Sequence, residues 1–436
     1  SGSTIEYANL EEVILPESLE SIGEDAFRKQ ISLKNIKIPD RVKTIGEYCF
    51  AECTGFTSTK NVKISENMSV IPKGFFYQCT GITEISLSDT IEKVEEYAFS
   101  GCTGITEISL PDTIEKVEEY AFSGCTGITE INLIDRELEL QRGAFSDCSG
   151  LTEIVIPSTK IKLNEAFLNC DNIIRVTIPV DHNTPYFGCS RVKEIVYTAG
   201  ETGEMPNIGR EGSNTCRDAS RIEYTSKKTL KKVVFEEGVK SIGAFAYYWT
   251  TYSWWSGSTI EYANLEEVIL PESLESIGED AFRKQVSLKN IKIPDRVKTI
   301  EEYCFAECAE LTLWSLKGSS TEKYANSKNI TFKAINYPYM ECNVEKIKPG
   351  KTYPFSATVY TNINETTKDV IWSVQGSKSE KTTIDEFGFL TVADDESAKI
   401  LSVSATYGKE TASVNLSMNN ALIATFIGDI STTIAA

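Results

Sequence analysis

Histidine is all but missing from this chain: 436 residues contain one, His182. That excludes paired-histidine metal sites, and any Ser-His or Cys-His catalysis would hang on a single residue. Basic charge is short as well. Lys and Arg number 44 against 63 Asp and Glu, a net charge of −19, so the cationic surface that displaces counterions from a nucleic acid is absent. No apolar run reaches the ~18 residues that cross a bilayer, and no leader peptide is visible at the start. No G-x-S-x-G, P-loop or H-E-x-x-H motif occurs. A core, by contrast, is well provided for. With 41% hydrophobic residues the chain is not a disordered acidic polymer, and its length suits about three average domains.

Repetition organises what is present. Residues 82–104, ITEISLSDTIEKVEEYAFSGCTG, are followed by a copy that differs at one position, Ser88 against Pro111. Phe76, Phe99, Phe122 and Phe145 are spaced by 23, as are Cys79, Cys102, Cys125 and Cys148. Degraded copies continue through Cys170 and Cys189. A longer duplication is superimposed: Ser1–Cys53 recurs as Ser256–Cys308 at an offset of 255, differing only at Ile31/Val286 and Gly46/Glu301. Near-identity of this kind leads us to expect that the natural protein continues upstream of Ser1.

The unit has a physical meaning. In I-T-E-I-S-L, apolar and polar residues alternate, the pattern of a strand with one buried face. A proline such as Pro111 or Pro157 then closes the strand, since it cannot donate to a ladder. Ile114 and Val117 form a second short apolar pair, and Ala121, Phe122 and Cys125 fall on one face of a single helical turn. So short a unit cannot bury its apolar face alone and must stack on its neighbours, giving a parallel-stranded solenoid.

The I-x-I-P…I-G-x-x-A-F-x-x-C pattern resembles the treponemal-type leucine-rich repeat of BspA-like bacterial surface proteins. Residues 10–27 (LEEVILPESLESIGEDAF) and 151–156 (LTEIVI) carry the likeness, and 316–332 (LKGSSTEKYANSKNITF) resembles the half-repeat that often closes such arrays. The pattern is broken near 57–66, 180–225 and 246–258, which read as insertions or loops. After Asn336-Tyr337-Pro338 the period stops, and short alternating runs separated by Gly, Asn and Asp suggest an antiparallel sandwich. Residues 370–392 with 405–414 are similar to bacterial Ig-like domains of group 2, with Trp372 as core tryptophan. The expected fold is therefore β-rich: a leucine-rich-repeat solenoid over 1–335, with parallel strands and short helical or 3-10 turns, then an Ig-like β-sandwich over 336–418. Residues 419–436 read as a tail or linker.

Eight of the twelve cysteines (53, 79, 102, 125, 148, 170, 189 and 308) hold one repeat position. They read as small buried apolar residues, since no C-x-x-C pair and no histidine partner accompanies them, and parallel stacked side chains oppose disulfide geometry. Cys49, Cys216, Cys304 and Cys342 are expected to be free too. His182, in V-D-H-N-T-P, reads as an exposed loop histidine.

Two features are candidates for partner binding. Glu84, Glu107, Glu130 and Glu153 should stack on the concave face, one per strand, as a docking surface for a basic or cation-bridged partner. The competing explanation is that duplication merely copied a solvated residue. The second is the run containing Tyr247, Tyr248, Trp249, Tyr252, Trp254 and Trp255. It should be partly exposed because Ile242 and Phe245 already fill the coil, unless it folds back onto the solenoid. No catalytic residue, cofactor or metal is expected. The resemblance implies adhesion to host or microbial macromolecules, and the expected protein is a monomeric, non-enzymatic adhesin at the cell surface or secreted, binding a protein or glycan ligand through the solenoid. A glycan ligand gripped by the aromatic run is the alternative. Neither nucleic acid nor membrane insertion is expected.

Overall fold

A computed structural model describes residues 10–63, 68–182, 189–207, 229–253, 257–342, 344, 347–363 and 365–418. It divides into two compact units, Ser1–Lys289 with Arg296–Ala309, and Asn290–Asp295 with Glu310–Ala436.

The first unit is a solenoid of short parallel strands. Glu107–Ser109 pairs with Glu130–Asn132, placing Ile108 beside Ile131 on the buried side. Further along, Glu153–Val155, Arg175–Pro179, Glu194–Thr198, Lys232–Phe235 and Glu267–Ile269 form one five-stranded parallel sheet. A second parallel sheet runs through the other apolar pair of each coil: Val70–Ile71, Lys93–Val94, Lys116–Val117, Leu138–Leu140 and Ile161–Leu163. The core between them is a column of rings. Phe76, Phe99, Phe122, Phe145 and Phe167 are fully buried, and successive centroids lie 5.3, 5.0, 5.2 and 5.6 Å apart.

The expected helical turn at A-F-x-x-C is not a helix. Among the described residues of this unit the only helical piece is the 3-10 turn Thr59–Asn61. The residue before A-F has left-handed backbone, φ 56° at both Tyr97 and Tyr120 and 53° at Tyr48, which breaks helical propagation. The freed amides reach the next coil instead: Phe76, Phe99 and Phe122 N–H donate to the carbonyls of Ala98, Ala121 and Ala144 at 2.7, 2.7 and 2.8 Å. Coil-to-coil bonding thus replaces intrahelical bonding, as stacking repeats require. Glycine holds the same position at Gly74 and Gly143, with φ 62° and 63°, and a Cβ there would strike the Tyr48 and Tyr120 rings.

The second unit begins with parallel strands Asn290–Lys292, Thr312–Ser315 and Thr331–Ala334, the last two joined by helix Ser320–Lys328. The Ser319 side chain caps that helix by accepting from the Glu322 amide, and Asn329 ends it in left-handed conformation. Three antiparallel three-stranded sheets follow. Phe355, Leu390 and Val392 share one core with Leu401, Val403, Val414 and Leu416, and half-buried Trp372 packs against it.

Candidate partner-binding surface

Parallel register decides which side chains line up outside the strands. Position i of each strand, and position i+2, point away from the core. In the five-stranded sheet the first row reads Glu153, Arg175, Glu194, Lys232, Glu267, and the second Val155, Thr177, Val196, Val234, Ile269. The first row alternates in charge and is laced by Arg175–Glu153 at 3.8 Å, Arg175–Glu194 at 4.0 Å and Lys232–Glu267 at 3.2 Å. In the second, Val155 and Ile269 are exposed, Val234 is half-buried and Val196 is buried. This paired arrangement of neutralised charge beside apolar side chains was not read from the sequence. Its signal is there, since E-I-V, R-V-T, E-I-V, K-V-V and E-V-I recur, but the register needed to assemble it crosses interrupted repeats.

The four glutamates fare differently from one another. Glu107 and Glu130 stand directly opposite in register and both are exposed. Glu84 bridges Ser58 through its backbone, and its carboxylate meets Lys60 Nζ at 2.7 Å. Glu153 faces Arg175. The structure therefore brings Glu107 and Glu130 together and gives Glu84 and Glu153 a cation each. Like charges on neighbouring strands disfavour the fold slightly, so only the middle pair bears that cost.

The aromatic run divides. Tyr247 is fully buried, contrary to the expectation of exposure, and stacks on Phe282 at 5.4 Å. Residues 242–247, I-G-A-F-A-Y, align with 277–282, I-G-E-D-A-F, so Tyr247 and not Phe245 holds the ring position. Phe245 takes the left-handed position, φ 60°, and is half-buried. Two successive pairs, Ala244-Phe245 and Ala246-Tyr247, offer the ring position two residues apart, and the second of them fills it. Tyr248–Ser253 and Gly257–Tyr262 form an antiparallel hairpin, with Tyr248, Trp249 and Tyr252 opposite Tyr262, Glu261 and Ser258. Trp254 and Trp255 lie outside the described residues.

The repeat cysteines have a specific duty. Each thiol donates to the carbonyl of the phenylalanine one coil upstream: Cys79 to Phe50, Cys102 to Phe76, Cys125 to Phe99 and Cys148 to Phe122, at 3.1, 3.1, 3.1 and 3.3 Å. Cys53, Cys170, Cys189 and Cys308 do the same with Phe27, Phe145, Phe167 and Phe282. A thiol here is small enough for the stack and still satisfies a buried acceptor. All eleven described cysteines are free; Cys216 lies outside the described residues. Burial pushes the thiols of Cys49 and Cys125 up to about 12 and those of Cys53 and Cys308 to about 11, which makes them poor nucleophiles. His182 is buried, not exposed, and its Nε2 lies 2.8 Å from the Ile161 carbonyl. The loop turns inward because that carbonyl at the coil edge needs a partner. Among the described residues no group of three or more His, Cys, Asp or Glu could hold a metal ion, and no helix is long and apolar enough to cross a membrane.

Comparison with known proteins places this geometry. The sequence matches the BspA type leucine rich repeat region, in 6 copies, over residues 3–105, 69–190 and 256–367. A search of curated proteins finds no match. Among solved structures, the chain is similar to a leucine-rich cell surface protein of Faecalibacterium prausnitzii, with 20% identity and TM-score 0.34 over 72% of this chain and 83% of that one. It is similar also to a leucine-rich repeat protein of Bacteroides ovatus, at 21% identity and TM-score 0.33 over 72% and 87%. A third is the pneumococcal vaccine antigen PcpA, at 21% identity and TM-score 0.31 over 68% and 76%. With the repeat family matched over most of the sequence and its parallel coils stacked in register, the chain belongs to the BspA-type leucine-rich-repeat family.

Proposed function

We propose that this is a non-enzymatic recognition protein of the cell surface or exterior, an adhesin that binds a host or microbial protein through the outward rows of its strands. The proposal includes a monomeric solenoid over residues 1–335, an Ig-like spacer over 336–418 and a linker over 419–436. The observation that carries the reading is the outer face of the strands. It presents Glu107 and Glu130 side by side, and further along the exposed Val155 and Ile269 beside a row of alternating charge. Two adjacent carboxylates on an acidic protein attract a basic partner and govern its approach more than its residence. The test is association kinetics with a panel of basic and acidic surface proteins. Glu107→Gln with Glu130→Gln should slow association and flatten its salt dependence, with Val155→Ser and Ile269→Ser raising the dissociation rate. Unchanged kinetics in both variants would remove the strand face from recognition.

The hairpin Tyr248–Ser253 and Gly257–Tyr262 supports a second reading, because it departs from the parallel order of the coils and carries Trp249 and Tyr252. In that reading Tyr248, Trp249, Tyr252, Trp254 and Trp255 stack on a glycan, as flat amphipathic rings can. Glycan-array binding that vanishes with Trp254→Ala and Trp255→Ala, at unchanged melting temperature, would favour it over the strand face.

A further inference from the structure

The second unit carries exposed rings that its core does not use. Lys351–Pro354, Phe389–Val392 and Thr383–Ile384 are the three strands of one antiparallel sheet. Along Phe389–Val392 burial alternates: Leu390 and Val392 lie in the core, while Phe389 and Thr391 point the other way. Register extends that outer face across the sheet. Thr352, Thr391 and Thr383 stand abreast, and Pro354 stands beside Phe389. All five are exposed. The Thr352 and Thr391 hydroxyls lie 3.2 Å apart.

The turn ahead of Phe389 adds another ring and fixes where both point. Asp385 Oδ1 accepts from the Phe387 and Phe389 amides at 3.0 and 2.8 Å, and the Gly388 amide donates to the Asp385 carbonyl at 3.1 Å. Gly388 is buried with φ 84°, and a Cβ there would lie 2.6 Å from the Phe355 carbonyl oxygen and 3.0 Å from the Trp372 ring. With the glycine pinned to the core, Phe387 and Phe389 stand outside it, 73% and 47% exposed. Neighbouring exposed apolar groups are the usual mark of a binding surface.

We propose that this face binds a neutral polysaccharide, with Phe387, Phe389 and Pro354 against the C–H faces of its sugar rings and the threonine row on its hydroxyls. Three features select that occupant. None of the five sheet positions is charged, in a chain whose net charge is −19, so a charged polymer finds no ion pair there. A threonine hydroxyl both donates and accepts, as each sugar hydroxyl does. Three strands about 4.8 Å apart, by two rows about 7 Å apart, offer roughly 200 Å². That is about a quarter of the ~800 Å² that one partner buries in a stable protein interface. It is too little for a protein or a second copy of the chain, and enough for a short run of sugar units. The proposal rests on neither the solenoid strand face nor the hairpin at 248–262.

Affinity electrophoresis of the full chain tests it, in native gels containing galactomannan, hydroxyethylcellulose or dextran, with polygalacturonate as the anionic comparison. At least one neutral polymer should retard the protein more than polygalacturonate does. Phe387→Ala with Phe389→Ala should weaken that retardation roughly tenfold or more at an unchanged melting temperature, and Thr391→Val should weaken it by less. If the double variant melts early, Phe387→Ala alone decides, since it truncates a ring that stands mostly in solvent. Retardation by no neutral polymer, retardation kept in full by the ring variants, or a preference for polygalacturonate would each overturn the proposal. Trp249→Ala separates the two surfaces: retardation that it removes and the ring variants keep would return the glycan to the hairpin. A dimer in sedimentation that Phe387→Ala dissolves would assign the face to a second copy of the chain and overturn the proposal equally.

Discussion

Two stretches of this protein share a sequence and not a state of burial. In residues 10–53, Ala26 is exposed and Phe27 half-buried, while Ala51 and Cys53 at the other end are fully buried. In residues 265–308 the order reverses: Ala281 and Phe282 are fully buried, and Ala306 and Cys308 are half-exposed. Each copy is covered on the side where a ring of another coil packs on it: Phe75 and Phe76 against Phe50 at the end of the first, and Tyr247 against Phe282 at the start of the second. Phe282 lies between Tyr247 and Phe305, at 5.4 and 5.6 Å, whereas Phe27 stacks on Phe50 at 5.3 Å. Burial in a solenoid is thus a property of the pair of coils, and local sequence supplies only half of each contact. The two differing residues matter little beside this. Glu301 turns its carboxylate to the Glu279 amide at 3.2 Å, a contact that Gly46 has no side chain to make.

The largest effect that bears on this comparison is expected from the rings. Phe282→Ala should cost about 3–5 kcal/mol, and Phe27→Ala roughly 1–2 kcal/mol, as fits a half-covered side chain. Urea unfolding of the two variants checks it, and equal losses would break the comparison. Next come the glutamines. Gln285→Ala strands the buried Leu265 amide and leaves the Tyr247 carbonyl with the Ala263 amide alone, and should cost about 1–3 kcal/mol; Gln30→Ala should cost less than about 1 kcal/mol.

The thiols sharpen the comparison from the other end. Burial holds both Cys53 and Cys308 up at about 11, against an unfolded value near 8.5. The folded state therefore keeps a proton that the unfolded state loses. That contribution to stability is fully present below about pH 8.5 and is lost as pH rises towards 11, by up to about 1.4 kcal/mol per unit for each thiol. Serine at either position should flatten the alkaline fall in melting temperature by a similar amount. A maleimide at neutral pH should nevertheless react with native Cys308 before Cys53, and the reverse order would contradict their burial. The smallest effect belongs to the strand face: Glu107→Gln with Glu130→Gln should stabilise by a few tenths of a kcal/mol, and Glu153→Gln should cost a few tenths by leaving Arg175 only its pairing with Glu194. Thermal melts at low and high salt separate the two signs.

Much of this was legible from residues alone, because repetition shows itself without any partner. The spacing of 23 located the ring column from Phe76 to Phe145, and the alternation in I-T-E-I-S-L located the strands. The likeness to BspA-like repeats named the family. The Glu107–Glu130 pairing follows from two nearly identical units, which can stack only in register. Tyr247 was missed because two aromatic residues compete for the ring position there, and backbone conformation settles it: the left-handed site two residues before the ring goes to Phe245.

What the sequence by itself determined is the unit: strand, turn, ring and thiol, each set by side chains within 23 residues. Only the tertiary structure decided what each unit covers. The cysteine–carbonyl ladder, the inward turn of His182, and the charges that neutralise Glu84 and Glu153 all depend on which coil stands next. The physical reason is that a coil this thin has no interior of its own, so its buried surface and half of its hydrogen bonds belong to its neighbours.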